Sequence, residues 1–233
     1  MPTLDFSSVL HGQYLDWLVA GAIRTLLLFA VSWVVGFVLS LVIAAARSSG
    51  HGSLEAIAAA FVGYHRNVPG LVQLLVWYFG VPQLLPDTWQ QWINGLGQNE
   101  FMFAAIALSL NAAAYMSEDL RSGIRSLPPS QLEAARALGM TYVSAMRKVI
   151  LPQALRVAVP PLVNQTLGLF KATSLAMAVG VAEMSYASHQ VENETFRTFE
   201  AFAVASCFYW AVSFLIMGVG YAWTKRFSPL GER

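Results

Sequence analysis

Charge is the scarcest commodity in this sequence. Only 12% of its 233 residues are Asp, Glu, Lys or Arg, against roughly 25% in an ordinary soluble domain, while 56% are hydrophobic. Residues 25–46 and 201–223 carry no charged side chain. Each run exceeds the ~20 residues with which a helix crosses ~30 Å of hydrocarbon, which argues against a soluble fold. A net charge of +1 offers no basic face for nucleic acid. The one cysteine, Cys207, has no second thiol for an internal disulfide, and its apolar setting predicts packing as a small hydrophobe. Lys and Arg are missing from the first 23 residues, so no basic segment precedes a short apolar core as in a cleaved signal peptide. The first apolar run is expected to remain in the mature protein.

Catalytic signatures are missing too. None of the lysines Lys148, Lys171 and Lys225 follows a glycine, so there is no GxxxxGK[ST] loop to cradle phosphate. HExxH and CxxC patterns do not occur, and His11, His51, His65 and His189 are scattered. No catalytic residue, metal or cofactor is expected in this chain, and any ATP chemistry must come from another one.

What is present is a set of five apolar segments, at about 23–46, 54–85, 101–124, 157–182 and 201–224. Asn67 and Pro69 interrupt the second, and Lys171 lies inside the fourth. A β-barrel would need alternating segments of about ten residues, and these runs do not alternate. The expected fold is an all-α integral membrane protein, one domain over 1–233 with five transmembrane helices. Residues 4–19 mix Phe6, Leu10, Tyr14, Trp17 and Leu18 with Asp5, His11 and Asp16. They read either as an amphipathic segment on the outer interface or as a poorly structured leader.

Basic residues set the expected orientation. Residues 119–156 hold Arg121, Arg125, Arg136, Arg147, Lys148 and Arg156 against Asp119 and Glu133. The connection 82–100 has no Lys or Arg, and 183–200 sets Arg197 against four glutamates. The N-terminus is therefore expected outside, and the C-terminus, with Lys225, Arg226 and Arg233, in the cytoplasm.

The cytoplasmic loop, about 125–156, is written as two short helices. Ser130 and Glu133 have capping-box spacing, and Gly139 can take the left-handed conformation that stops a helix. Thr141 can cap a second helix over 142–150, which Pro152 is expected to end. Such a bent pair suits the docking of a soluble protein. It equally suits resting on the bilayer or on the chain's own spans.

Glu133-Ala134-Ala135, three residues, Gly139, nine residues and Val149-Ile150-Leu151-Pro152 resemble the EAA motif of binding-protein-dependent ABC importer permeases; only Val149 departs, where isoleucine is usual. Arg66-Asn67-Val68-Pro69 with Val72-Gln73-Leu74, the run 113–121, residues 151–156 and Lys171-Ala172-Thr173-Ser174-Leu175 are similar to the polar amino acid branch. The likeness covers roughly residues 20–225. It implies a type I ABC importer permease fold in the bacterial inner membrane, with two permease subunits forming the pathway. It also implies two ATPase subunits, which bind ATP and magnesium, and a periplasmic amino-acid-binding protein. Glu133, Ala134, Ala135 and Gly139 would then belong to the coupling helix seated on the ATPase.

Charges inside a bilayer cost ~3 kcal/mol or more and call for a purpose. Arg66 and Lys171 are read either as structural, paired with Glu118 or with a facing subunit's carbonyls, or as contacts for a substrate carboxylate. Asn67, Asn164, Gln165 and Thr173 complete the candidate pathway residues. The sequence departs from the family where Asn67-Val68 replace the usual Gly-Thr and where Ala172 stands in place of an acid or Asn. Loss of an acid beside a cation points to an acidic substrate such as glutamate or aspartate. An ATP-independent secondary transporter is the alternative reading, although no inverted repeat is evident.

Overall fold

The computed structural model describes residues 4–227. Arg233 and the side chain of Arg226, both counted toward the basic C-terminal end, lie outside the described residues. Among the described residues all regular structure is helical.

Helix α1, Gly12–Ala46, has 35 residues and is about 52 Å long. It begins well before the apolar run at 23. Residues 12–22 are neither a leader nor a separate surface segment, because Leu18 packs with Val9, Met184, Ala187 and Val191 in a second small core. Helix α5, Asn99–Arg125, is the most enclosed span and lies between α1 and α8 (Leu151–Ala172). Its close packing follows from small side chains, since Ala104, Ala107, Ala112, Ala113, Ala114 and Ser117 are all buried. In lipid, helices associate through such close approach rather than through hydrophobic burial. Gly123 marks the tightest point: a Cβ there would lie 2.5 Å from the Ala154 carbonyl oxygen.

The second apolar segment is not one helix. It divides into α2, Gly52–Asn67, and α3, Gly70–Leu75, which continues through a π turn and a 3-10 turn to Leu84. Neither half is long and apolar enough to span by itself, whereas Gly12–Ala46, Asn99–Arg125 and Thr198–Lys225 are. A short helix α4, Asp87–Asn94, follows on the connection to α5.

The loop helices are α6, Pro129–Ala137, and α7, Tyr142–Ala145. Gly139 has φ +82, and the Thr141 hydroxyl accepts from the Ser144 N–H at 3.3 Å, both as expected. Two expectations fail here. Ser130 does not cap α6: the helix starts from Pro128 with no side-chain cap, so Ser130 already sits inside the first turn. Pro152 does not end the second helix. A π turn, Met146–Ile150, precedes it, and the proline enters the first turn of α8, where a missing N–H is tolerated. The helix therefore runs unbroken from Tyr142 to Val179, where a 3-10 stretch ends at Gly180 with φ +89.

A helix α9, Met184–Thr195, occupies most of what was read as an outer connection, bent by 50° from the preceding one. Fully buried Glu183 caps it, accepting from the Tyr186 N–H at 2.9 Å and from the Tyr209 hydroxyl at 2.6 Å. Helix α10, Thr198–Phe227, completes the chain. Cys207 lies on its exposed face rather than packed inside.

Gly123→Ala is expected to destabilise the fold by about 1–3 kcal/mol, because the α5–α8 backbones must separate. Gly218→Ala, where an added Cβ meets nothing within 4 Å, should be neutral or slightly stabilising. Thermal unfolding in detergent compares them.

Candidate functional site

The break between α2 and α3 organises the site. Val68, which precedes a proline and so disfavours helical backbone, is extended at φ −99, ψ 132. Carbonyls released by a break have no water to turn to in a membrane, so side chains must meet them. Gln73, only 1% exposed, donates its amide to the carbonyls of His65 at 2.8 Å and Val68 at 2.7 Å. Asn111 of α5 donates to the His65 carbonyl at 3.2 Å and to Gln73 Oε1 at 3.3 Å. The Tyr115 hydroxyl donates to the Arg66 carbonyl at 3.2 Å. Three side chains thus hold the break open in one shape.

Arg66 is presented at that point. Its guanidinium lies 5.5 Å from the Tyr115 ring centroid, a cation–π distance, and 3.9 Å from Glu118 Oε2. The other oxygen of Glu118 pairs with Arg47 at the end of α1. One carboxylate therefore serves two guanidinium groups, and Arg66 holds the looser share.

Beside the break is a cavity of about 510 Å³ lined by Arg66, Asn67, Asn111, Tyr115, Gln165 and Ala172 among others. Among the described residues, Arg66 is the one charged residue in its lining. A second hollow of about 460 Å³ continues past Arg66, Asn67 and Tyr115 to Arg47 and Glu118. The structure therefore brings together Arg66, Asn67, Glu118 and Gln165. It separates Lys171, which is exposed and lines a different cavity of about 700 Å³ with Ser174, Ser185 and Tyr209. Thr173 is fully buried and donates to the Phe170 carbonyl at 2.6 Å. Asn164 is exposed and borders neither cavity. Gln73, Asn111, Tyr115 and Arg47 were not singled out as site residues. The available signal was their polarity inside or beside apolar runs.

On the loop, Ala135 is buried while Glu133, Ala134 and Gly139 face outward. Leu138, next to Gly139, is 85% exposed, and Tyr142 and Val143 are exposed beside it. An apolar knob at a left-handed bend costs solvation unless something covers it.

The sequence pattern described as the inner membrane component of binding-protein-dependent transport systems matches residues 7–229. The chain belongs to that family. The permease is 38% identical over 186 residues to a probable amino-acid ABC transporter permease, PatM, of Vibrio harveyi, covering 80% of each chain. It is 31% identical over 207 residues to the glutamate/aspartate import permease GltJ of Escherichia coli K12, covering 88% of this chain and 84% of that one. The fold superposes on the crystal structure of an amino acid ABC transporter with histidines at a TM-score of 0.85 and 30% identity, covering 96% of the permease and 99% of that chain. Its helices and type I ABC permease neighbours agree with the expected fold class. Relatives named for acidic amino acids and a neighbour bearing histidines stand at similar identity, so likeness does not choose a substrate.

Gln73→Leu and Asn111→Leu should each lower stability by about 1–3 kcal/mol, the first by leaving the Val68 carbonyl without its donor and the second by leaving Gln73 Oε1 without one. The double variant should lose more than the sum, because only then does the His65 carbonyl, which both side chains serve, lose both donors. Chemical or thermal unfolding of the four proteins measures this coupling.

Proposed function

We propose that this chain is the transmembrane subunit of an ATP-driven importer of polar amino acids, with glutamate and aspartate as preferred substrates. The observation that carries the reading is the cavity at the α2–α3 break, where among the described residues Arg66 is the only formal charge and Ala172 occupies the lining. Any amino acid brings an α-carboxylate, and the half-exposed Arg66, 3.9 Å from Glu118, has donors left for it. An acidic side chain meets no carboxylate in the lining. For a basic one the carboxylate at hand, Glu118 in the adjoining hollow, is already shared by Arg66 and Arg47. Lys171 has no part in this contact, and Asn67 and Gln165 supply amide donors and acceptors beside it.

The rest of the machinery is supplied by other chains. A second permease subunit, a copy or a relative, completes the pathway, and a periplasmic binding protein delivers substrate. An ATPase, which binds ATP and magnesium, receives α6, Leu138 and Gly139 in a surface groove. Because the helix runs unbroken from Tyr142 to Val179, a push at the loop end moves the wall containing Gln165 and Ala172. ATP binding shifts the pathway only to the extent that the ATPase pair interacts differently with its two states. The chain is placed in the bacterial inner membrane with its N-terminus outside and its C-terminus in the cytoplasm.

The test is amino acid binding to the purified permease–ATPase complex without binding protein, read by calorimetry. Glutamate or aspartate should bind more tightly than arginine or histidine, and Arg66→Gln should weaken binding by roughly 10- to 100-fold, the loss of a charge-assisted hydrogen bond. Ala172→Asp should shift preference toward arginine. Tighter binding of arginine to the unaltered protein would overturn the acidic preference. Transport by the permease alone in liposomes would overturn dependence on an ATPase. Leu138→Asp should reduce co-purification of the ATPase at least tenfold without changing the permease's own thermal midpoint, since Leu138 is 85% exposed.

A further inference from the structure

The two hollows at the α2–α3 break share one wall. Arg66, Asn67 and Tyr115 line both the cavity with Gln165 and Ala172 and the hollow that ends at Arg47 and Glu118. A carboxylate can therefore reach the Arg66 guanidinium from either side. On one side that carboxylate already belongs to the chain. Glu118 Oε2 lies 3.9 Å from the guanidinium, inside ion-pair range but beyond hydrogen-bond distance. A pair held without a hydrogen bond gives way to a carboxylate that makes one.

The other oxygen of Glu118, Oε1, accepts a hydrogen bond from Arg47. That pair joins helices whose backbones pack closely: an added Cβ at Gly36 of α1 would stand 3.0 Å from the Ser109 carbonyl oxygen of α5. The Arg47 side chain is 17% exposed and that of Arg66 46%. Arg66 is carried by α2, of which Ala58, Val62 and His65 are buried. Glu118 is thus fixed on the Arg47 side and loose on the Arg66 side. Asp119, the next residue, lies within the field of Arg66 but outside both linings.

We propose, resting on Arg66 as the receptor for a substrate carboxylate, that Glu118 is a built-in competitor for that receptor. It holds Arg66 while the cavity is empty, so no unpaired cation stands inside the bilayer, and yields it to an incoming carboxylate. Arg47 keeps the released Glu118 paired and within reach for the next exchange. Pairing with Glu118 and meeting a substrate are thereby successive states of one side chain. Glu118 and Arg47 are positioning residues that act on substrate only through Arg66. The competition lowers apparent affinity by the fraction of Arg66 left free, which favours release of the cargo.

Calorimetry of glutamate binding to the permease–ATPase complex without binding protein tests this. Glu118→Gln, which keeps the shape and removes the competitor, should tighten binding about fivefold, the size of one partly exposed ion pair. Arg47→Gln should weaken it about threefold, because Glu118 then turns wholly to Arg66. The double variant decides. With the carboxylate already removed, loss of Arg47 should leave binding within about 1.5-fold of Glu118→Gln alone, whereas a mere change in local charge would weaken it about threefold in either background. An equal loss in both backgrounds, or no tightening in Glu118→Gln, would overturn the proposal. Arg66→Gln separates it from the reading beneath it. If that variant binds like the unaltered protein, the substrate contact itself is wrong; if it binds weakly while Glu118→Gln changes nothing, the competitor alone is wrong. Should the variants fail to assemble, structures of the unaltered complex with and without glutamate decide. The Arg66–Glu118 separation should lengthen beyond about 4 Å on binding while Arg47 keeps its pair, and an unchanged separation beside bound glutamate would sink the exchange.

Discussion

A broken helix inside a membrane must have its backbone satisfied by protein, and that constraint shapes the centre of this molecule. The Val68–Pro69 break frees carbonyls within an apolar segment, and Gln73, Asn111 and Tyr115 receive them. Because two of these come from α5, the break is fixed to the most buried span. Arg66 is consequently held at one place, over the Tyr115 ring and beside Glu118. The cavity is a by-product of the same geometry.

The packing that permits this is made of small residues. Alanines and serines of α5, with Gly36 of α1 and Gly123 of α5 at close approaches, bring three long helices together around a core that includes Leu28, Leu108, Met116 and Leu169. α10, by contrast, is largely exposed, and its surface is left for lipid and for other subunits. A rigid α1–α5–α8 unit beside a loosely covered helix is suited to moving as a body when its loop is pushed. The unbroken course from Tyr142 to Val179 makes the loop and the cavity wall one mechanical element.

Much of this was legible in the sequence, and the failures share a physical cause. The α5 limits, the break at residues 67–69, the Gly139 bend and the Thr141 cap were all carried by local signals: hydropathy, proline, glycine and a hydroxyl. The misreadings came where a neighbour overrode the local signal. Ser130 lost its capping role because Pro129 had already started the helix. Pro152 failed to stop one because the preceding turn had widened to the π form. Residues 12–22 joined α1 because Leu18 found its partners in α9 and the start of α10, far along the chain. Arg66 and Lys171 were read together as candidate contacts for a carboxylate, which residue type and an apolar setting can suggest. Which cavity each faces depends on helix rotation, and one residue's step of about 100° puts Ala172, not Lys171, beside Arg66. The polar braces around the break were invisible as a set until the helices were packed.

In the proposed function the broken helix presents Arg66 as the receptor for a substrate carboxylate. A structure of the assembled transporter with saturating glutamate tests it directly. Ligand density is expected in the cavity between Arg66 and Gln165, with a carboxylate within hydrogen-bond distance of the guanidinium. Density beside Lys171, or a ligand that leaves Arg66 untouched, would contradict it.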